Sequence, residues 1–300
     1  MTAMSAAGTL ITVAPTGAET AKVDVPALPV TLEELVASAR ACEAAGAAMV
    51  HVHVRDAEAR PTLDLGLLRA TVAALRESTP LVVQLSTGGS VHDGFEPRLR
   101  VLDAEPDSCS LTCGTVNFGD DVFLNPWPFV SALYRRTQEC EVVPEFELFD
   151  LGHVTTLHRL LDTYGAPSGG SVHCDLVIGV PGGMPGTLTA LAAVVEALPP
   201  GASWSATGVG RTTLPVALAA LSAGGHLRVG MEDTLTFAKG SPVRDNAQLV
   251  ERAAALAVLA QRPPMTPDEA RALLGVRDRG GASSERTAGR AEPAQLGGSA

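Results

Sequence analysis

The sequence predicts an α/β protein, a (β/α)8 TIM barrel in one domain with a short extra C-terminal helix and a disordered tail. Three observations carry this prediction. Eight short runs rich in β-branched residues recur at intervals of about thirty residues. Each is followed by turn residues and an amphipathic stretch, the alternation that parallel strands joined by helical crossovers require. The first turn reads APTGAET rather than G-x-G-x-x-G, which counts against a doubly wound dinucleotide-binding sheet.

The first run, Thr9–Ala14, precedes a helix whose apolar face carries Leu32, Leu35, Val36 and Ala39. Thr31 and Glu34 form a capping box there, each side chain satisfying an orphan N–H, and Gly46 closes the helix. Next come strand Ala48–Val54 with helix Leu67–Glu77, Leu81–Ser86 with Arg98–Asp103, and Ser108–Thr112 with Pro128–Gln138. Glu141–Phe149 pairs with Thr155–Leu161, Val172–Ile178 with Thr189–Leu198, and Ser203–Thr207 with Leu214–Ser222. The last strand, Leu227–Met231, leads to helix Ala247–Ala260, capped by Asp245 and stopped before Pro263–Pro264. The extra helix, Pro267–Leu274, has Thr266 and Glu269 as a second capping box. Residues 8–275 thus read as one barrel domain. Residues 276–300 are almost free of large apolar side chains and read as a disordered tail.

Composition narrows the function. The 300 residues are 46% hydrophobic and 18% charged, enough to bury a large core. A net charge of −11 excludes a general nucleic-acid or anionic-membrane binder. Aromatic residues make up only 4%, too few for a single-strand stacking platform. Cys42, Cys109, Cys113, Cys140 and Cys174 are odd in number and scattered, which suits a reducing, cytoplasmic compartment. No apolar run approaches the ~18 residues of a membrane span. The segment MTAMSAAGTLITVAP lacks the basic start of a signal peptide.

In a barrel the chemistry sits at the C-terminal ends of the strands. The second strand carries His51 and His53 in Val50-His51-Val52-His53-Val54, and a strand's period of two points both rings to one side. Two neutral imidazoles so placed can share a metal ion, zinc being the usual partner of such nitrogens. The alternative is a hydrogen-bonded core pair. Glu232, beyond the eighth strand, is a third-ligand candidate, provided a bulge at Gly230 changes the strand's phase relative to Arg228. Ser86-Thr87-Gly88-Gly89, Gly179–Gly183 and Gly208-Val209-Gly210-Arg211 are turn segments able to present N–H groups to an anion. Glu19, Glu147 and Asp233 add carboxylates at the same mouth, with Arg211 and Arg228 as cations. Lys22 and Lys239 are the only lysines and lie outside the predicted strands, which disfavours a Schiff-base aldolase.

These motifs, in this order, resemble the β-keto acid cleavage enzyme family, typified by the 3-keto-5-aminohexanoate cleavage enzyme. The matching segments are TGAET (16–20), VHVHVRD (50–56), QLSTGG (84–89), GTVNFGDDVF (114–123), VVPEFELFD (142–150), VIGVPGGMPG (177–186), TGVGR (207–211), GGHLRVGMED (224–233) and DNAQLV (245–250). The resemblance implies a zinc-containing barrel, commonly a homotetramer, that condenses a β-keto acid with acetyl-CoA. A retro-Claisen step then gives acetoacetate and a new acyl-CoA. It further implies His51, His53 and Glu232 as zinc ligands and Asp233 as catalytic base oriented by Arg228. A neighbouring cation lowers a carboxylate's pKa, so Arg228 is expected to weaken that base. Ser86, Thr87 and Gly89 are implied as contacts of the substrate carboxylate, with Glu19 and Glu147 around the substrate's distal end. Thr112 stands where the family usually has Asn, altering one substrate contact. Two other functions compete on the same residues. A zinc hydrolase would need further histidines such as His153 or His173, and a catalytically lapsed metal-binding barrel would keep the ligands without turnover.

Overall fold

In the computed structural model, residues 8–277 are described. The eight barrel strands are β1 (Ile11–Val13), β2 (Met49–Val52), β3 (Val82–Leu85), β4 (Ser108–Thr112), β5 (Val143–Leu148), β6 (His173–Ile178), β7 (Ser203–Gly208) and β8 (His226–Val229). Sequence neighbours pair in parallel, and β1 closes the barrel by pairing with both β2 and β8. The helices are α1 (Leu32–Ala45), α2 (Leu65–Ser78), α3 (Phe95–Arg100), α4 (Trp127–Glu139), α5 (Leu151–Tyr164), α6 (Leu188–Ala197), α7 (Thr213–Ser222), α8 (Asn246–Leu259) and α9 (Pro267–Leu274). Both capping boxes form: Thr31 Oγ1 accepts the Glu34 N–H and Thr266 Oγ1 that of Glu269, each at 3.2 Å.

Several boundaries differ from the pattern-based ones. Helix α5 begins at Leu151, before the expected Thr155, because the Asp150 side chain accepts the Gly152 N–H at 3.0 Å. Helix α3 begins at Phe95 rather than Arg98 and continues as a 3₁₀ turn, Val101–Ala104. Pro97 falls in its first turn, where no intrahelical N–H is needed. Strand β2 stops at Val52 instead of Val54. The chain leaves the barrel at His53, and Val54–Arg55 then pairs antiparallel with Pro61–Thr62. Strand β8 stops at Val229 instead of Met231. The ribbon Val116–Phe118 with Asp121–Phe123, and a smaller one at Thr236–Ala238 with Ser241–Pro242, have no counterpart in the hydrophobic pattern.

The main core fills the space between barrel and helices, with Val50, Val83, Leu111, Phe146, Leu176 and Leu227 packed against residues such as Leu35, Leu75, Leu133 and Leu157. Helix α9 packs Leu274 and Ala270 against Leu10, Met49, Val82 and Val143. Val276 is buried in that cluster, and Arg277 donates to Glu141 Oε2 at 2.8 Å. The rest of the expected tail, 278–300, lies outside the described residues.

The barrel interior departs from the apolar filling usual for this fold. Gln84 on β3 donates to Glu145 on β5 at 2.7 Å, a bond that skips β4 and so crosses the interior. Ser108, Ser110, His173, Ser205 and His226 are buried with them. A polar layer of this kind is stable only when its members are paired.

Candidate active site at the barrel mouth

His51 and His53 flank the end of β2, with ring centroids 5.3 Å apart. Their Nε2 atoms lie 3.8 and 3.7 Å from Glu232 Oε1. One ligand atom from each of the three residues falls within 4.8 Å of the others. Glu232 reaches this place through a turn rather than a bulge. Asp233 and Thr234 donate their N–H groups to Gly230 O at 3.0 and 3.1 Å, so the chain reverses directly after β8. Only glycine fits at 230, since a Cβ there would collide with the Ala14 carbonyl. Gly17 serves the same end from β1's loop: a Cβ on it would overlap the Glu232 side chain.

The hydrogen bonds behind His51 determine its tautomer. The Glu145 carboxylate only accepts, so the Gln84 amide nitrogen faces it and Gln84 Oε1 faces His51. Burial pushes the Glu145 carboxyl up, but His173 and Gln84 outweigh it and hold it below the usual range, so it is ionised. Gln84 Oε1 lies 2.6 Å from His51 Nδ1, which therefore carries the proton. The His51 Nε2 is left facing Glu232. Burial lowers His53 to about 4, so this ring is neutral. Glu232 is held at about 2: burial raises it, and Arg228 with the two histidines lowers it further. Its Oε2 is buried without a hydrogen-bond partner. Two imidazoles, an ionised carboxylate and an unpartnered buried oxygen form a donor set that fits a divalent cation.

Arg228 on β8 gathers the remaining charge. Its guanidinium donates to Asp233 Oδ1 at 3.0 Å, to Glu147 Oε1 at 3.3 Å and to Glu232 Oε1, and lies 3.6 Å from Asp175 Oδ2. Against the expectation from Arg228 alone, Asp233 is raised to about 6, because burial and the Glu232 charge outweigh the guanidinium. Asp175, wholly buried on β6, is pushed up well above the carboxylate range by desolvation, and Thr207 donates to it at 2.8 Å. The Gly210 N–H donates to Asp233 O at 2.7 Å, so the TGVGR loop anchors the turn that carries Asp233.

A cavity of about 460 Å³ opens onto these groups. Ser86, Gly88, Gly89, Glu19, Glu147, Arg228, Glu232 and Asp233 line it together with His51 and His53. Its apolar wall comes from Phe118, Phe123, Phe149, Val177 and Val180, and the 116–123 ribbon adds Asp120 and Asp121 at the rim. Two expected contacts are turned elsewhere. Thr87 Oγ1 donates to Ser110 O at 2.7 Å and does not line the cavity. Thr112 Oγ1 donates to Glu147 Oε2 at 2.7 Å, so it orients a lining residue from behind. Arg211 is exposed and also outside the lining. His153 and His173 are apart from the triad: His153 Nδ1 accepts the Phe149 N–H, and His173 lies between Ser203 and Ser205.

Sequence reasoning assigns no role to Gln84, Asp175 or Arg55. Arg55, in the VHVHVRD segment, is buried and donates to Gly17 O at 2.6 Å and Thr20 O at 3.0 Å, clamping the loop that carries Glu19. Its place two residues after H-x-H is the one signal the sequence holds.

A cavity at the C-terminal mouth, with a metal-competent triad beside a buried carboxyl raised to about 6, defines an enzyme built on a (β/α)8 barrel. Comparison with known proteins then places it. The chain belongs to the beta-keto acid cleavage enzyme family, which it matches over residues 9–276, and is thus an acyl-transferring enzyme of carbon–carbon bond cleavage. It is 36% identical over 269 residues to the 3-keto-5-aminohexanoate cleavage enzyme of Acetoanaerobium sticklandii, covering 89% of this chain and 98% of that one. It is also 36% identical over 271 residues to the 3-oxoadipate:acetyl-CoA acetyltransferase of Cupriavidus necator, covering 89% and 94%. The solved apo structure of ObcA shares the fold at a TM-score of 0.75 and 22% identity, over 84% of this chain and 66% of that chain. Among the described residues no helix is long and apolar enough to cross a membrane.

Proposed function

We propose that this protein is a zinc-dependent β-keto acid cleavage enzyme with acetyl-CoA as co-substrate. R–CO–CH2–COO⁻ and acetyl-CoA would give acetoacetate and R–CO–CoA by condensation and retro-Claisen cleavage. The observation that carries this reading is the convergence of His51, His53 and Glu232 beside Asp233 on one cavity. Zinc held by those three residues would supply Lewis-acid polarisation of the keto group.

Asp233 takes the proton from the carbon between the keto and carboxylate groups, and the same carboxyl returns it when acetoacetate is released. Arg228 holds Asp233 through two hydrogen bonds and so fixes the direction of its lone pairs. Ser86, Gly88 and Gly89 present the polar wall that receives the substrate carboxylate. Glu147, held by Thr112 and Arg228, lines the cavity with Glu19 as a polar group for the substrate's distal end. The phenylalanine and valine wall excludes water from the enolate and the thioester. Lys22 is engaged by Leu28 O and Glu34, and no lysine lines the cavity, which supports a route without a Schiff base.

Glu19, Asp120 and Asp121 on the lining favour a neutral or cationic distal group over an anionic one. That matches the amino group in the name of the Acetoanaerobium sticklandii relative rather than the second carboxylate of 3-oxoadipate. All five cysteines are free, in keeping with a cytoplasmic enzyme. The test is acetoacetate release by the zinc-loaded protein from acetyl-CoA and β-keto acids with cationic, neutral or anionic chains. The expected order is cationic or neutral above anionic, with no product without acetyl-CoA. Cleavage that proceeds without acetyl-CoA would make the protein a hydrolase instead, and no product from any acid would contradict the reading.

A further inference from the structure

The cavity poses an electrostatic problem. Its lining includes Glu19, Asp120, Asp121, Glu147, Glu232 and Asp233, against Arg228 as the one arginine or lysine among the described lining residues. Arg228 is itself engaged by Glu147, Asp175, Glu232 and Asp233. Even a divalent ion on the triad would leave these formal charges net negative. A β-keto carboxylate, the substrate class of the proposed function on which this inference rests, is an anion.

Arg98 on α3 offers a cation that is not so engaged. It is 2% exposed. Its Nε donates to Thr87 O at 2.8 Å, Nη1 to Leu124 O at 2.8 Å and Nη2 to Asn125 Oδ1 at 2.5 Å. All three acceptors are neutral; Glu147 and Asp93 attract the guanidinium through space, but among the described residues no carboxylate forms an ion-pair contact with it. The Phe129 and Phe123 ring centroids are 4.3 and 4.8 Å from its guanidinium carbon. Phe123 lines the cavity, and its ring edge abuts Gly88, where a Cβ would lie 3.1 Å from Cζ. The guanidinium is thus packed behind the wall formed by Phe123 and the Ser86–Gly89 loop. The same three bonds tie that loop to the end of the 116–123 ribbon.

We propose that Arg98 is a positioning residue for the substrate carboxylate: its charge, buried behind the wall without a contact ion pair, draws the anion to the Ser86–Gly89 loop without touching it. A full charge in a poorly screened interior acts over several ångströms, and the neutral ring and peptide groups between transmit its field. Thr87 O, polarised by Arg98, in turn makes the Gly88 N–H a stronger donor to Ser86 Oγ, which it meets at 3.1 Å, and so steadies that hydroxyl at the wall.

The test compares acetoacetate with its uncharged methyl ester as probes, binding each to the zinc-loaded protein by calorimetry. Arg98→Met keeps the length and the phenylalanine contacts but removes the charge. It is expected to weaken acetoacetate binding about tenfold or more and leave the ester unchanged, with KM for a β-keto acid rising more than kcat falls. Arg98→Lys, which keeps the charge, should retain most of the anion affinity. Equal weakening of both probes would show a merely structural role and overturn the proposal, as would unchanged acetoacetate binding in Arg98→Met or its full loss in Arg98→Lys. If Arg98→Met does not fold, Arg98→Gln, whose amide can still reach Thr87 O, carries the same comparison. Wild-type protein that binds neither probe would instead overturn the β-keto acid reading of the site.

Discussion

The barrel interior holds two pairs of histidines. His51 and His53 sit at the mouth with ring centroids 5.3 Å apart, and His173 and His226 lie deeper at 5.9 Å. In the deeper pair three of the four ring nitrogens meet protein partners: His173 touches Ser203, Ser205 and Glu145, and His226 Nδ1 accepts the Leu10 N–H at 3.0 Å. At the mouth, among the described residues, only His51 Nδ1 is engaged in a hydrogen bond, while both Nε2 atoms face Glu232, one of whose oxygens has no hydrogen-bond partner. Residue type and burial are nearly the same in the two pairs. What separates a structural pair from a ligand pair is whether the lone pairs are already answered.

The comparison breaks first at Asp233, the proposed base beside the open pair. Asp233→Asn is expected to keep bound metal and cut turnover by about 10²–10⁴-fold, the range of a lost general base. Steady-state rates with parallel metal analysis check this, and retained activity would remove Asp233 from the mechanism. The next effect concerns the link between the pairs. Gln84→Leu removes the acceptor that keeps the proton on His51 Nδ1, so metal affinity should fall about 10–100-fold in a chelator competition. Unchanged affinity would mean that Gln84 serves only the interior network. The smallest effect belongs to the closed pair. His173→Ala strips the hydroxyls of Ser203 and Ser205 of a partner and should lower stability by about 1–3 kcal/mol in denaturant unfolding, with metal affinity kept. Loss of the metal there would erase the distinction between the two pairs.

The alternation of strand and helix was legible because its signals are local: period-two runs, capping boxes at Thr31 and Thr266, and turn residues between them. The H-x-H pair was legible for the same reason. Glu232 could be suspected, but its approach depends on a turn after Val229 and on Gly17 giving way, and neither is a local property. Gln84 and Glu145 meet across the barrel, so their bond follows from the stagger of strands rather than from any spacing in the chain. Thr87 reads as a carboxylate contact until its hydroxyl is seen on Ser110 O, a matter of one rotamer. Arg98 falls at the edge of a predicted helix. Nothing in the neighbouring residues announces that two phenylalanines and three neutral oxygens will enclose it.

The account turns on the open pair holding a metal. Metal content per chain, measured by mass spectrometry on purified wild type, His51→Ala, His53→Ala and His173→Ala, tests this directly. One divalent ion per chain is expected in the wild type and in His173→Ala, and none in the other two. Full occupancy in His51→Ala and His53→Ala, or a wild type that takes up no divalent ion when zinc is supplied, would contradict it.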